Sequence, residues 1–299
     1  MIYAFYHSED LDGHCSGAIV KFFYNQIGKE VTLIPFNYNN EIKITFQKED
    51  IVYFTDVVPN PFNRLYEIEK DVSKVIIFDH HKSFIESPEG QYFSQRNHNK
   101  LQTDFSGCQL TWQGLFPAER KTPVIVTLLG EYDRWNDSDT IMWSSQILPF
   151  QFGIRLDKTD PVDNFDYWNT WFSMKLPWAR VQDVITKGCT VLRYQDLQNE
   201  RIMTSSFEHT IVLIKEEIEY KCLCVNATFR NSDLFKSKWD ATKYNFMVVY
   251  SEVKKGLWGF SAYTTRDDMD ASMFAKQFGG GGHKKAAGWI LKDLKDFFV

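Results

Sequence analysis

Four short apolar runs punctuate the first eighty residues: Ile2 to Tyr6, Val31 to Phe36, Ile51 to Phe54 and Val75 to Phe78. They are rich in β-branched and aromatic side chains and lack polar alternation, which predicts strands of a largely buried sheet. The intervening segments Gly17 to Ile27 and Asn60 to Lys70 read as helices, suited to the right-handed crossovers of βαβ units. Ser106 to Trp112 reads as a helix start with small residues. From Trp178 to about Met203, the residues Trp178, Val181, Val184, Ile185, Val191, Leu192 and Leu197 recur at roughly helical spacing with no proline among them, which predicts one helix. Beyond it, Thr210 to Ile214, Cys222 to Asn226, Phe246 to Tyr250 and Trp258 to Tyr263 predict strands, and Asp270 to Phe278 a helix. The pattern gives an α/β protein: a mainly parallel-sheet domain over residues 1–177, a connecting helix over 178–205 and a smaller α/β domain over 206–299.

Composition narrows the class. A chain of 299 residues with 43% hydrophobic and 24% charged content can bury two cores and does not read as disordered. Cys15, Cys108, Cys189, Cys222 and Cys224 are scattered and odd in number, and no leader-like stretch opens the chain, so a reducing cytoplasm is expected. No apolar run approaches the roughly 18 residues that a membrane helix needs. Residues 206–299 hold 14 Lys and Arg against 12 Asp and Glu, leaving 20 against 27 before them. An acidic first part suits metal ions and a near-neutral second part suits an anion, whereas a long duplex calls for a basic stripe.

The candidate chemistry sits where apolar segments end. Asp79-His80-His81 closes Val75 to Phe78, His7 to Asp12 follows Ile2 to Tyr6, Asp56 follows Ile51 to Thr55, and Asp133 follows Val124 to Leu129. In open α/β sheets, sites form outside the carboxyl ends of the strands, so these groups can converge on one crevice. His7, Asp10, Asp12, Asp56, His80 and Asp133 exceed the needs of one four-coordinate ion and favour two. Asp10 and Asp12 can diverge toward neighbouring ions while Asp56 bridges them. Nitrogen with several oxygens suits Mn²⁺ or Fe²⁺ better than Ca²⁺, and manganese is the expected metal.

The order His-x-x-Asp-x-Asp, a post-strand Asp, Asp-His-His and a further Asp resembles the DHH phosphoesterase superfamily. The run Gly279 to Gly288, GGGGHKKAAG, resembles the GGGGHxxAAG signature of the DHH-associated substrate domain, so both halves of the chain are covered. The resemblance implies that His7, Asp10 and Asp56 hold one Mn²⁺ and that Asp12, Asp56, His80 and Asp133 hold the other, with Mg²⁺, Co²⁺ or Fe²⁺ as substitutes. It further implies that His81 faces the scissile phosphate and that Asp79 accepts a ring N–H and fixes imidazole orientation.

Consecutive glycines expose backbone N–H groups, and such a loop opening a helix would cradle an anion. Gly280, Gly281, Gly282, His283 and Lys284 are the expected contacts, and Arg266 corresponds loosely to a phosphate-binding arginine of the family. Among the aromatics, Trp135, Trp258, Phe260 and Tyr263 could stack a base, although most aromatic residues of this chain belong to its core. His14, His98 and His209 belong to no constellation and read as structural.

Within the superfamily, the length and domain pairing look most like the nanoRNase branch. The expected activity is hydrolysis of short single-stranded oligonucleotides to 5′-mononucleotides by water activated on two metals, in a cleft between the domains. Alternatives are hydrolysis of cyclic mono- or dinucleotides or of 3′-phosphoadenosine 5′-phosphate, and a nucleotide-binding sensor without turnover. A homodimer is left open.

Overall fold

The computed structural model describes residues 1–38, 40–173, 178–213 and 218–298. The chain divides into two compact units, Met1–Leu192 and Arg193–Val299.

The first unit begins with β1 (Ile2–His7), α1 (Leu11–Asn25), β2 (Thr32–Phe36), β3 (Ile51–Thr55), α2 (Arg64–Asp71) and β4 (Lys74–Asp79). Two short helices, α3 (Lys82–Ile85) and α4 (Pro88–Ser94), lead to the two-residue strand β5 (Lys100–Leu101). All strand pairs are parallel, in the order β2-β1-β3-β4-β5. Parallel sheets are covered on both faces, which explains why β1, β3 and β4 are unbroken apolar runs. On one side Phe5, Phe54, Leu65, Ile68, Ile77 and Phe93 pack together; on the other Ala4, Val20, Tyr53, Phe78 and Leu110 do. Edge strand β2 is more exposed than the run Val31 to Phe36 suggested.

A helical layer completes the unit: α5 (Gly107–Leu115), α6 (Val124–Asp133), α7 (Thr140–Met142), a π-helical turn at Trp143–Ile147, α8 (Leu148–Ile154) and α9 (Phe165–Phe172). Its core of Leu128, Leu129, Phe150, Trp168 and Phe172 also takes in Val181, Val184 and Ile185 from the long helix α10 (Trp178–Met203). Burying each such side chain contributes roughly 1.5–3 kcal/mol. The expected boundary at residue 177 lies outside the described residues.

The second unit is a mixed sheet with one helix packed against it and, in a separate cluster, Met203 from the end of α10 with Leu234 and Phe235. It comprises β6 (Phe207–Leu213), β7 (Ile218–Asn226), β8 (Phe246–Lys254), β9 (Leu257–Tyr263), α11 (Ala271–Lys276), β10 (Gly281–His283) and β11 (Ala286–Leu291), in the order β10-β11-β9-β8-β7-β6. Only β7 and β8 pair in parallel among the described residues. Phe246, Phe260, Phe274, Trp289 and Phe297 fill the core between sheet and α11. The predicted strand Thr210 to Ile214 matches β6 up to Leu213, and its last residue lies outside the described residues. Among the described residues, no helix is long and apolar enough to cross a membrane.

Candidate metal centre

The carboxyl ends of β1, β3 and β4 deliver His7, Asp56 and Asp79 side by side, because the three strands are parallel neighbours in matching register. Asp10 then caps α1: its Oδ1 accepts from the backbone N–H of Gly13 at 2.9 Å, which leaves Oδ2 2.9 Å from His7 Nδ1. Asp12, within the first turn of α1, is 3% exposed. Its Oδ1 accepts from Ser106 Oγ at 2.8 Å and from the Cys108 backbone N–H at 3.1 Å, at the N-terminus of α5. Ser106 is itself held in a capping box with Gln109. One oxygen of Asp12 is thus anchored by protein donors while the other, Oδ2, is buried without a hydrogen bond.

Asp56 is the centre of the cluster. It is 1% exposed and adopts a left-handed backbone at φ 60°, a conformation that costs a non-glycine residue on the order of 1–3 kcal/mol and that recurs at functional sites. Its N–H donates to the Phe78 carbonyl at 2.9 Å, which fixes the turn off β3. Asp56 Oδ2 lies 3.6 Å from His7 Nδ1, and Oδ1 lies 3.1 Å from His80 Nε2. His80 Nε2 is also 3.2 Å from Asp133 Oδ2.

Three groups emerge whose ligand atoms lie within 4.8 Å of one another: His7, Asp10 and Asp56; Asp12, His80 and Asp133; and Asp56, His80 and His81. His7 Nδ1, Asp12 Oδ2, Asp56 Oδ1 and Asp133 Oδ2 are all buried and none makes an aligned hydrogen bond. Unpaired lone pairs converging in this way are costly in a folded chain, and a cation among them removes the cost. The donor set of imidazole nitrogens and carboxylate oxygens therefore fits divalent metal.

Electrostatics agree. Burial and the carboxylate of Asp12 hold the Asp56 carboxyl well above the usual range, and burial with Asp12 and Asp56 pushes Asp133 up to about 9. Burial alone would lower His7, yet Asp10 and Asp56 override it and push the imidazole up to about 10. So many carboxylates in one place do not all ionise without positive charge beside them.

Asp79 organises its neighbours. Fully buried, its Oδ1 accepts the backbone N–H groups of His80 at 2.8 Å and His81 at 3.2 Å and stands 2.7 Å from His81 Nδ1. The far ring nitrogen of His81, Nε2, is 3.1 Å from the hydroxyl of Tyr38, whose ring also contacts His7 at 5.6 Å.

One stretch carries no assignment from sequence, and one expectation needs correction. The apolar stretch before Asp133 is helical: Val124–Asp133 is α6, and Asp133 reaches the cluster from a helix C-terminus. A six-residue apolar run fits a buried strand or a buried helix equally, and its pairing with α5 decides for helix. The glycine run does not open a helix. It follows α11, becomes edge strand β10 and turns directly into β11. A Cβ at Gly280 would stand 2.2 Å from the Gly288 carbonyl oxygen, and one at Gly282 would stand 2.6 Å from the Ala287 Cα, so these glycines let two strands approach. Gly281 faces open space, and His283 and Lys284 are exposed. Arg266 forms a two-pronged pair with Asp268 at 3.0 and 2.6 Å and also donates to the Ala241 carbonyl at 3.3 Å. Phe260 is buried against Trp289, so it presents no face for a base.

Sequence reasoning missed Tyr38, Ser106 as the anchor of Asp12, and Gly107, where a Cβ would stand 2.5 Å from that of Asp56. The Ser106 helix start was a usable signal for α5; nothing in the sequence ties it to Asp12.

No family model matches the chain. An uncharacterised protein of Acanthamoeba polyphaga mimivirus is 22% identical over 319 residues, covering 97% of this chain and 67% of that protein. Among solved structures, the pGpG-specific phosphodiesterase PggH from Vibrio cholerae is similar with a TM-score of 0.56 and 13% identity, covering 99% of this chain and 95% of that one. Exonuclease RecJ bound to manganese is similar with a TM-score of 0.50 and 13% identity, covering 96% of this chain and 85% of that one. The chain has the fold of these DHH-type phosphoesterases.

Proposed function

We propose that this protein is a divalent-metal-dependent phosphodiesterase that hydrolyses short oligonucleotides to 5′-mononucleotides, with Mn²⁺ as its working metal. The observation that carries the reading is the pair of ligand groups, His7-Asp10-Asp56 and Asp12-His80-Asp133, brought together on either side of a buried, strained Asp56. Two such cations, when bound, acidify coordinated water and neutralise charge gathering on phosphoryl oxygens. Asp56 stands between the two groups, with Oδ2 toward His7 and Oδ1 toward His80. Asp12 and Asp10 each commit one oxygen to backbone donors, so their free oxygens keep a fixed direction. Asp79 holds the His81 ring by Nδ1, which leaves Nε2, now beside Tyr38, to donate to a phosphoryl oxygen or to the departing alkoxide.

The names of the similar structures, a pGpG-specific phosphodiesterase and an exonuclease bound to manganese, support a phosphodiester substrate and favour a linear dinucleotide as its shortest form. A product assay with Mn²⁺ tests the reading, using two- to ten-residue RNA and DNA, cyclic mono- and dinucleotides and 3′-phosphoadenosine 5′-phosphate. Mononucleotide release fastest from two- to five-residue substrates is expected. Turnover confined to cyclic mononucleotides or to the bisphosphate would overturn the substrate assignment, and no turnover of any member with any divalent metal would overturn the enzyme.

A further inference from the structure

Helix α6 ends at Asp133 and its backbone turns two residues later, where the residue in the turn is the wrong kind for the job. Arg134 is the C-cap. The Trp135 N–H donates to the Tyr132 carbonyl at 2.9 Å, and the Asn136 N–H donates to the Glu131 carbonyl at 3.0 Å. This is the Schellman hydrogen-bond pattern, whose first residue beyond the cap takes a left-handed backbone and is usually glycine or asparagine. Here it is Trp135, at φ 53°, with its side chain 60% exposed. A bulky residue in that conformation is strained, and an indole held in water gains nothing from burial. The chain thus pays twice to keep this ring where it is.

The turn that carries the ring is held firmly. Glu131 Oε1 accepts from Gln109 at 3.1 Å and from Arg134 at 2.8 Å, and Glu131 Oε2 accepts from Asn136, so one carboxylate clamps both sides of the turn. Beneath Trp135 lies Trp143, 5.0 Å away, which is the first residue of the π-helical turn and stacks on Tyr132 with an interplanar angle of 2°. Isolated π-turns recur at functional sites. The same Gln109 closes the capping box on Ser106, the residue that anchors Asp12, and Asp133 lies two residues before Trp135. Platform and metal centre therefore share one clamp.

We propose that Trp135, backed by Trp143 and Tyr132, is a base-stacking platform that receives a nucleobase of the substrate whose phosphodiester lies at the Asp and His cluster. The inference rests on the phosphodiesterase reading and adds to it a specificity element: a planar base is required next to the scissile phosphate. Stacking on an aromatic side chain discriminates by about five- to hundredfold in affinity per base and tolerates every base, because each has a π-face.

The test uses the full chain with Mn²⁺ and two probes of equal charge, a dinucleotide and the same molecule lacking its bases, on the wild type and on Trp135→Gly and Trp135→Phe. Glycine suits the backbone turn, so Trp135→Gly is expected to keep or raise Tm while the preference for the dinucleotide over its abasic counterpart, read in KM and in Kd, falls about five- to hundredfold. Trp135→Phe, which retains a stacking ring, is expected to keep most of that preference. An unchanged preference in Trp135→Gly, an equal loss in both variants, or a dimer in the wild type that Trp135→Gly dissolves overturns the platform. Failure of the enzyme reading looks different: the dinucleotide then binds in a Trp135-dependent way but is not cleaved.

Discussion

The strand-end cluster of the first unit and the glycine run of the second treat their charged neighbours in opposite ways. In the first, buried oxygens of Asp12, Asp56 and Asp133 converge without aligned donors, and Asp56 holds a strained backbone. In the second, two cations beside the glycine run are already paired: Arg266 with Asp268, and Lys285 Nζ with Asp267 at 2.7 Å and the Arg266 carbonyl at 2.7 Å. An unsatisfied buried group costs free energy that a bound partner returns, whereas an exposed, paired group has little to gain. The metal-ligand cluster is built around something the chain itself does not supply, whereas Arg266 and Lys285 beside the glycine run are already satisfied by the chain.

The largest effect is expected from removing the carboxylate that both ligand groups approach. Asp56→Ala should lower kcat on the order of a thousandfold or more, since several kcal/mol of charge stabilisation goes with the metals. It should also abolish the rise in Tm that Mn²⁺ gives the wild type. Retention of that rise would dissolve the contrast between the units. Next in size is Asp79→Asn, which keeps an acceptor for the His80 and His81 backbone N–H groups but removes the charge beside His81 Nδ1. A roughly 10- to 100-fold loss in metal affinity or kcat is expected, measured by titration calorimetry and steady-state kinetics.

The glycines sharpen the comparison from the other side. Gly280→Val should destabilise the second unit by about 1–3 kcal/mol, because the added atoms meet the backbone of Gly288, whereas Gly281→Val should shift stability by less than about 0.5 kcal/mol. Denaturant unfolding measures both, and equal effects would contradict the packing role assigned to Gly280. Gly281→Val then reports on substrate contact alone, through KM. The smallest effect is expected from Arg266→Ala, since its guanidinium is occupied by Asp268: less than about a tenfold change in kcat/KM. A larger drop would mean that the pair opens for substrate.

The strands β1, β3 and β4 were legible in the sequence because a parallel sheet buried on both faces leaves unbroken apolar runs, and the long helix α10 was legible by its period. The residues at the ends of those strands, His7, Asp56 and Asp79, were legible for the same reason. What was hidden depends on tertiary approach. The element carrying Asp133 was not legible because Val124 to Leu129 carries no period that separates helix from strand. Ser106 and Gly107 matter only because α5 meets Asp12 and Asp56, and Tyr38 because the segment after β2 turns back on two histidines. The glycine run was misplaced at a helix start because glycine serves helix-opening loops and close strand packing equally, and only its neighbours decide which. Trp135 was one aromatic among many until its backbone conformation set it apart.

The most direct test is anomalous diffraction at the manganese edge from a crystal soaked in Mn²⁺. Two peaks are expected, one against His7 and Asp10, the other against Asp12, His80 and Asp133, with Asp56 reaching both. A single peak that leaves Asp56 without a metal contact, or none within reach of these side chains, would contradict the two-metal centre.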